Sequence, residues 1–437
     1  MAAADGDRTT RGSAGLHAEA AGRGIAATDP APLATTCCVV GGGPAGMMLG
    51  LLLARAGIDV TVLEKHADFL RDFRGDTVHP STLELMHELG LLDDFLTRPH
   101  QELRKLSVQI GDETVQVGDF THLPTRCKFI ALMPQWDFLD FLAEHAKRCP
   151  GFHLLLRTEG TSLLRDGDRV AGVTAHSPDG PLEIRAGLVV ATDGRHSNMR
   201  DAADLKVIDR GAPMDVLWLR LTRHDGDPAQ TLGRIDSGYM LVTLDRGDYW
   251  QCAFVIAKGG FDALRDGGLD AFRAEIARLA PHFRDRVQEI TGWDDVKLLT
   301  VAVNRLERWY LPGLLLIGDA AHAMSPIGGV GINLAIQDAV AAANILVPPL
   351  RRGAVTPADL HAVQRRRELP TKLTQSVQLA VQNRVISNVL RATRTPRPPW
   401  PVRMLGRYPF LQRFPARIAG LGFRPEHIRP VRQDGSA

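Results

Sequence analysis

The fold of this chain is constrained most by residues 41–46, whose sequence GGGPAG is a G-x-G-x-x-G pattern. An apolar run, 37–40, precedes the pattern and a helix-forming run, 45–56, follows it, so the glycines join a strand to a helix. In that context Gly41 permits a tight turn, Gly43 lets the backbone approach a pyrophosphate, and Gly46 allows the helix to pack closely on the strand. The helix N-terminus offers free N–H groups to the phosphates. The pattern therefore predicts a dinucleotide-binding βαβ unit.

A carboxylate follows the second strand of this unit, which is predicted over residues 58–63. Glu64 lies 18 residues after Gly46, where a carboxylate accepts hydrogen bonds from the ribose hydroxyls of an adenosine. This first motif does not by itself separate NAD from FAD.

Two further motifs follow predicted buried strands. Asp193 begins the run DGRHSNMR after a strand at 187–192, and Asp319 follows a strand at 314–317 in LLLIGDAAH. The carboxyl end of a strand is where ligands bind in open α/β sheets. Glycines at 328–331 let backbone N–H groups approach a flat ligand, and a predicted helix at 331–346 directs its positive end towards it. A reduced flavin is an anion that such a helix would stabilise.

The remaining pattern predicts the domain organisation. Strands without intervening helices at 216–257 indicate an antiparallel sheet. We therefore predict an α/β fold, with a Rossmann-type nucleotide-binding domain, an inserted domain that is mainly an antiparallel sheet, and C-terminal helices. The predicted boundaries are a disordered tail at 1–35, a nucleotide-binding domain at 36–100, 126–205 and 300–350, an inserted domain at 101–125 and 206–299, and a basic helical region at 351–437.

Charge and cysteine content bound the setting of the chain. Residues 351–437 carry 17 Lys+Arg against 4 Asp+Glu, a net charge of +13, while the whole chain carries +2, which leaves −11 for residues 1–350. We favour packing or solvation of this basic tail over contact with an anionic membrane or an acidic partner. The overall balance gives no nucleic-acid signal. The five cysteines show no metal-ligand spacing and suit a reducing cytoplasmic location.

Taken together and in this order, the three motifs resemble those of the class A flavoprotein monooxygenases, the para-hydroxybenzoate hydroxylase-like family. The match runs from about Cys37 to Leu346. The pattern D-G-x-x-S-x-x-R is met from Asp193 to Arg200, G-D-A-A-H from Gly318 to His322, and P-x-G-G-x-G-x-N from Pro326 to Asn333.

The resemblance implies that the Rossmann-type domain is a FAD-binding domain and that the inserted antiparallel domain is the substrate domain. It also implies FAD as the bound cofactor and NAD(P)H as a transient co-substrate. Glu64 would bind the adenosine ribose, Arg74 the diphosphate region, and Gln135 another part of FAD, while Asp319 would bind the ribityl or diphosphate region. The full set of expected FAD contacts is Gly41, Gly43, Ala45, Gly46, Glu64, Lys65, Arg74, Gln135, Asp193, Asp319, Pro326, Gly329, Gly331, Ile332 and Asn333.

The sequence constrains the choice of catalytic and substrate-binding residues less than the choice of FAD contacts. His322 is either a polar contact or proton relay near the flavin, or a cap on the turn between strand and helix. Arg220, Tyr239 and Trp250 come from the predicted inserted sheet and are candidates for substrate contact, with ordinary sheet packing as the alternative.

The implied activity is hydroxylation of a small aromatic, phenolic or quinone-like substrate with NAD(P)H and O2, through a flavin hydroperoxide. Two alternatives remain open at this point. One is a flavin-dependent reductase or dehydrogenase without oxygen transfer, and the other is a non-catalytic member of the fold that binds a prenyl lipid or a partner.

Overall fold

The glycine pattern lies in a mainly parallel sheet of eight strands. The computed structural model describes residues 32–70, 77–228 and 232–429. Every pairing from Leu314–Leu316 across to Phe152–Leu155 is parallel. In spatial order the strands are Tyr310–Leu311, Leu314–Leu316, Gly180–Ala191, Leu33–Val40, Val60–Leu63 and Phe152–Leu155, with Arg169–Ser177 and Glu159–Asp166 added as an antiparallel arm.

Helices cover one face of this sheet, and the other face is buried in a second apolar cluster that contains Met199 and Trp309. The helices Pro44–Arg55, Gln135–Ala146 and Gly331–Arg351 pack on the first face around buried Met47, Phe138 and Ile336. A parallel sheet covered on both faces needs near-continuous apolar strands, which is why runs such as CCVV and LLLI could be recognised in the sequence.

A second sheet of seven strands is mainly antiparallel, as predicted. The hairpin Tyr239–Asp245 with Tyr249–Ala257 was expected from the sequence and is present. A single parallel pair joins Leu232–Asp236 to Lys105–Ile110. In spatial order the strands are Lys297–Leu299, Met214–Thr222, Tyr249–Ala257, Tyr239–Asp245, Leu232–Asp236, Lys105–Ile110 and Glu113–Asp119.

The two faces of the seven-stranded sheet meet different parts of the fold. Leu217, Leu219 and Phe254 face the helix Leu269–Leu279 in one apolar cluster. The alternate residues, including Val216 and Val255, face a second cluster that also contains Ile327. This second face therefore meets the glycine loop that follows Asp319.

Smaller elements connect the two sheets. Two three-stranded sheets consist of Val207–Asp209, Asn304–Leu306 and His322–Ala323, and of Thr77–Val78, Ile130–Leu132 and Gln101–Leu103. The shorter helices are Pro80–Glu88, Leu92–Leu96, Asn198–Ala202 and Phe261–Asp266.

The C-terminal region is helical, as predicted, but two boundaries differ from the sequence prediction. The helix Gly331–Arg351 continues through Pro348 and Pro349 instead of ending at Leu346. These prolines lie in its last turns, where they remove only their own N–H donors, and the burial of Leu350 keeps the chain helical. The helices that follow are Pro357–Val381, Ser387–Leu390 after a π-helical turn at Gln382–Ile386, Trp400–Arg407 and Arg413–Leu421.

The second difference is at the start of the ordered chain. The first strand begins at Leu33 rather than at Cys37, because its first residues extend the pairing with Gly180–Ala191. The predicted disordered tail at 1–35 therefore ends too late, and its residues 1–31 lie outside the described residues.

Among the described residues, one helical stretch, 327–351, is long and apolar enough to cross a membrane. Most of its residues are buried inside the fold, where it packs on the helix Pro44–Arg55. All five cysteines are free thiols, and the cytoplasmic location remains a prediction.

Candidate functional site

The Gly41 turn is shaped by two glycines that tolerate no side chain. Gly41 has φ +108°, and a Cβ there would lie 2.6 Å from the Thr192 carbonyl oxygen. A Cβ on Gly46 would lie 1.9 Å from the Gly41 carbonyl oxygen. Gly43, in contrast, has no atom within 4 Å of a Cβ position, and it precedes a helix whose N-terminus has no side-chain cap. The turn thus leaves open space beside unpaired N–H groups, as a bound diphosphate requires.

Glu64 lies at the end of the neighbouring strand, as the sequence predicted. Its carboxylate accepts hydrogen bonds from the backbone N–H groups of Gly42 at 3.1 Å and His66 at 3.0 Å. The side chain is therefore oriented against the glycine turn. Lys65 points to the surface, where its ammonium lies 3.7 Å from Glu159.

The D-G motif is bonded directly to the glycine turn. Thr192 donates its hydroxyl to the carbonyl of Gly41 at 2.7 Å. Asp193 accepts hydrogen bonds from the Ser197 hydroxyl at 2.6 Å and the Met199 N–H at 3.1 Å, so it orders the turn into Asn198–Ala202. Burial raises the pKa of the Asp193 carboxyl.

An ion pair joins the D-G motif to the G-D motif. The Arg195 Nε donates to the Asp319 carboxylate at 3.1 Å. The Arg195 Nη1 is buried and has no hydrogen-bond partner among the residues that the structure describes. Since an unpaired buried donor is costly, this guanidinium N–H is available to a ligand oxygen. Sequence reasoning did not single out Arg195, although an arginine beside D-G was visible.

Gly318 brings the two motif-bearing strand ends together. It has φ +59°, and a Cβ there would lie 3.2 Å from the Ala335 Cβ and 3.3 Å from the Ala45 Cβ. Ala45 belongs to the helix of the glycine pattern and Ala335 to Gly331–Arg351. Only one strand, Gly180–Ala191, separates the two strand ends, which corresponds to about 10 Å.

His322 lies in the interior of the protein. Its side chain is 1% exposed, and its Nε2 donates to the Asp338 carboxylate at 2.6 Å. The same carboxylate accepts from the Gly318 N–H at 3.1 Å and from the Arg367 Nε at 2.9 Å. Burial would raise the pKa of Asp338, but His322 and Arg367 together lower it below its ordinary value. Sequence reasoning missed Asp338, although a lone acid in an apolar helix indicates a paired buried charge.

The loop after Asp319 is held from both sides. Asn333 donates to the carbonyl of Thr77 at 3.0 Å and accepts from the His79 N–H at 2.9 Å. On the other side, Gln378 donates to the carbonyls of Ser325 at 2.9 Å and Ile327 at 3.0 Å. The amide of Asn333 is thus occupied within the protein.

The loop between these anchors remains partly exposed. Gly329, Gly331 and Ile332, together with Pro326, are half-buried, and the helix Gly331–Arg351 has no side-chain cap at its N-terminus. This second free helix N-terminus stands within the loop that was predicted to line the flavin ring.

Two predicted FAD contacts come from elsewhere in the chain. Gln135 is half-buried at the start of Gln135–Ala146, and its side chain makes no hydrogen bond within the described residues. Arg74 lies outside the described residues.

The residues present fit FAD. The Gly43 side of the turn is open, two helix N-termini are uncapped, and the buried Arg195 Nη1 has no partner. These features suit a ligand with a diphosphate and an anionic ring system. The role of each residue towards the cofactor remains a proposal.

Two of the three substrate candidates face away from the glycine loop. Tyr239 and Trp250 face the cluster around Leu269–Leu279, and the Trp250 Nε1 donates to Asp227 at 2.7 Å. Alternation along the strands explains the placement of these two residues, since a shift of one residue moves a side chain to the opposite face. Arg220 alternates in step with Trp218, but it is exposed and stacks over the Tyr249 ring at 3.9 Å.

Other residues occupy the face that meets the glycine loop. Trp218, Met240 and Val242 are partly buried there, in the same cluster as Ile327 and Leu390. The indole N–H of Trp218 is buried and has no hydrogen-bond partner within the described part of the chain. An apolar ligand between the loop and the sheet would contact these side chains.

Comparisons with known proteins agree with this geometry. Residues 34–377 match the family model described as FAD binding domain. The chain is 35% identical over 373 residues to the 6-methylpretetramide 4-monooxygenase of Streptomyces rimosus, a match covering 83% of this chain and 87% of that protein. It is 29% identical over 317 residues to the rifampicin monooxygenase of Streptomyces venezuelae, covering 69% of this chain and 61% of that protein. The fold is similar to that of the p-nitrophenol 4-monooxygenase of Pseudomonas putida DLL-E4, with a TM-score of 0.69 at 21% identity, covering 88% of this chain and 97% of that one.

A substitution at Gly43 should weaken FAD binding without affecting the folding of the apoprotein. The substitution Gly43→Ala adds a methyl group into open space at φ −73°, so the apoprotein should keep its stability to within about 0.5 kcal/mol. The affinity for FAD should fall about tenfold or more, because the methyl group occupies space that the diphosphate needs. Titration of apoprotein with FAD, followed by quenching of flavin fluorescence, measures this. Gly226→Ala, at an exposed open position, is the control; an unchanged affinity in Gly43→Ala would place the diphosphate elsewhere.

His79 makes the stability depend on pH. Burial lowers its pKa to about 4, while its hydrogen bond to the Ala419 carbonyl acts in the opposite direction. Between about pH 6.5 and pH 4, His79 therefore binds a proton in the unfolded chain but not in the folded chain. The free energy of unfolding falls as the pH drops through this range. His79→Asn keeps a donor for Ala419, and from pH 7 to pH 5 it should lose about 2 kcal/mol less than the unsubstituted protein.

Urea unfolding at the two pH values tests the His79 prediction. His176→Asn, which replaces an exposed histidine, is the control and should follow the unsubstituted protein. Identical pH dependence in His79→Asn and the unsubstituted protein would contradict a neutral buried His79.

Proposed function

Because the chain belongs to the FAD binding domain family, we propose that it hydroxylates an aromatic ring of a phenolic substrate similar in class to 6-methylpretetramide. The protein is an FAD-dependent monooxygenase that uses NAD(P)H and O2. The substrate proposal is carried by the 35% identity to 6-methylpretetramide 4-monooxygenase, which extends over 87% of that relative.

The parts of the proposed active site have separate tasks. The Gly41 turn, Glu64 and the Arg195–Asp319 pair would hold the nucleotide, and the loop from Pro326 to Asn333 would line the ring. When bound, FAD would supply the redox chemistry, which is hydride transfer from the nicotinamide cofactor and activation of O2. The uncapped N-terminus of Gly331–Arg351 would stabilise negative charge on the ring.

The seven-stranded sheet, whose strands all lie within the predicted substrate domain, would cover the substrate. Its face towards Ile327 is apolar, with Trp218, Met240 and Val242 as partly buried members. Such a wall orients a flat aromatic molecule and excludes water from the reacting carbon. The indole N–H of Trp218 supplies one polar contact that an oxygen of the substrate can accept.

Oxygen transfer is measured directly with labelled gas. The full chain loaded with FAD is incubated with NADH or NADPH, ¹⁸O2 and a panel of polycyclic phenols. We expect a product that contains one ¹⁸O atom, formed with one oxidised nicotinamide. A product without the label would support the reductase or dehydrogenase alternative and contradict hydroxylation.

A substitution at Trp218 tests where the substrate binds. Trp218→Phe keeps an aromatic ring but removes the N–H donor, so KM for the substrate should rise about threefold to tenfold, as for one lost hydrogen bond. More of the oxidised nicotinamide should then yield hydrogen peroxide instead of product. Trp293→Phe, on the opposite side of the sheet, is the matched control. Equal KM and equal coupling in both variants would remove Trp218 from the substrate site.

A further inference from the structure

Two amphipathic helices near the C-terminus form a strap, residues 400–421, on the outside of the protein. Their inner side is firmly packed. Ala416 and Gln412 are buried, and a Cβ on Gly420 would lie 2.7 Å from the Leu123 side chain. Gln412 also accepts a hydrogen bond from Gln116 of the strand Glu113–Asp119. The strap is therefore a preformed surface with a fixed orientation.

The outer side of the strap exposes large apolar side chains. Trp400 is 71% exposed, Phe414 64% and Phe410 58%. Met404, Tyr408 and Ile418 are exposed on the same segment. A contiguous set of this size is unusual on a solvated surface and marks a contact site.

Arginines are interleaved with these apolar residues in a segment of the sequence that contains no acidic residue. The sequence has no Asp or Glu from Leu369 to Pro425, a segment with ten Lys+Arg. Within the described part of the chain, no ion pair involves Arg403, Arg407, Arg413 or Arg417, and all four are exposed. The outer side thus combines uncompensated positive charge with exposed aromatic rings.

The positive charge and the exposed aromatic residues of the strap indicate which kind of partner it binds. In a contact of one strap with the strap of a second copy, arginines from both would meet without any carboxylate. A bilayer with anionic head groups offers negative charge over a plane, together with an apolar layer that Trp, Tyr and Phe side chains enter. Arginine-rich amphipathic helices with aromatic residues on the exposed side match such a surface.

We propose that the outer side of the strap binds the surface of an anionic lipid bilayer. The arginines contact the lipid phosphates, and Trp400, Phe410 and Phe414 insert among the acyl chains near the head groups. The binding is peripheral, since the strap remains packed on the protein through its inner side. It involves no residue of the proposed active site.

Vesicle binding by the full chain loaded with FAD tests the proposal. Phosphatidylcholine vesicles with and without phosphatidylglycerol are pelleted with the protein at low and high salt. We expect binding only to the anionic vesicles, with a blue shift of tryptophan emission that is lost in Trp400→Phe. High salt should weaken binding because it screens the arginines.

Paired substitutions test both halves of the surface. Arg413→Gln with Arg417→Gln should weaken binding about thirtyfold, or about fivefold for each arginine. Phe410→Ser with Phe414→Ser should weaken it about tenfold or more. The matched controls are Arg185→Gln with Arg284→Gln and Val207→Ser with Leu298→Ser, which replace exposed residues elsewhere.

Flavin absorbance and melting temperature check that each variant is folded. Equal binding to neutral and anionic vesicles, or no loss in the strap variants, would overturn the proposal. Light scattering tests whether the strap instead binds a second copy of the chain. A dimer that the strap variants dissociate, without vesicle binding, would make the partner a second copy of the chain and would also overturn it.

Discussion

A single buried carboxylate, that of Asp338, connects the elements on which the rest of the site depends. It is 0% exposed and accepts hydrogen bonds from the Gly318 N–H, His322 and Arg367. An unpaired charge at this depth would be strongly destabilising, so the three donors must be held in place together. The G-D turn, the core helix Gly331–Arg351 and the helix Pro357–Val381 are thereby fixed to one another.

The same network extends to the end of the described chain. Arg367 also donates to the Glu426 carboxylate at 3.1 Å, and Glu426 pairs with Arg366 at 2.7 Å. The segment that follows the strap is thus anchored on the helix that supports the G-D turn. His322 belongs to this network, and its contacts favour a role in positioning the turn over a direct role in chemistry.

The nucleotide end of the site depends on backbone geometry instead of charge. Gly41, Gly46 and Gly318 are each required where two backbones or two helices approach too closely for a side chain. Thr192 and Arg195 then bond the three motifs to one another. The spacing of adjacent parallel strands sets the distance between the motifs, which suits one extended ligand across both strand ends.

Sequence reasoning predicted the parts of the fold that obey local rules. The glycine turn follows from steric limits on Gly41 and Gly46, and the buried strands follow from continuous apolar runs. The hairpin of Tyr239–Asp245 and Tyr249–Ala257 follows from strand periodicity and from the turn between the two strands. These signals are local, and the chain realises them almost at the predicted boundaries.

Sequence reasoning did not predict which side chains pair with each other when they lie far apart in the chain. Asp338 and Arg367 lie 29 residues apart and Arg195 and Asp319 lie 124 apart, so only the folded chain brings them together. The choice of Tyr239 and Trp250 as substrate contacts depended on which face of a strand meets the loop. Periodicity groups alternate residues but does not say which group faces the loop after Asp319, and in the folded chain Trp218 and Met240 share a cluster with Ile327 of that loop.

A crystal structure of the full chain with FAD tests the central claim most directly. We predict one FAD molecule per chain, with its diphosphate at Gly43 and within hydrogen-bond distance of the G-D turn, and its ring beside Gly329 to Asn333. A diphosphate bound away from the Gly41 turn, or a ring that does not reach the loop after Asp319, would contradict a shared site for the two strand ends.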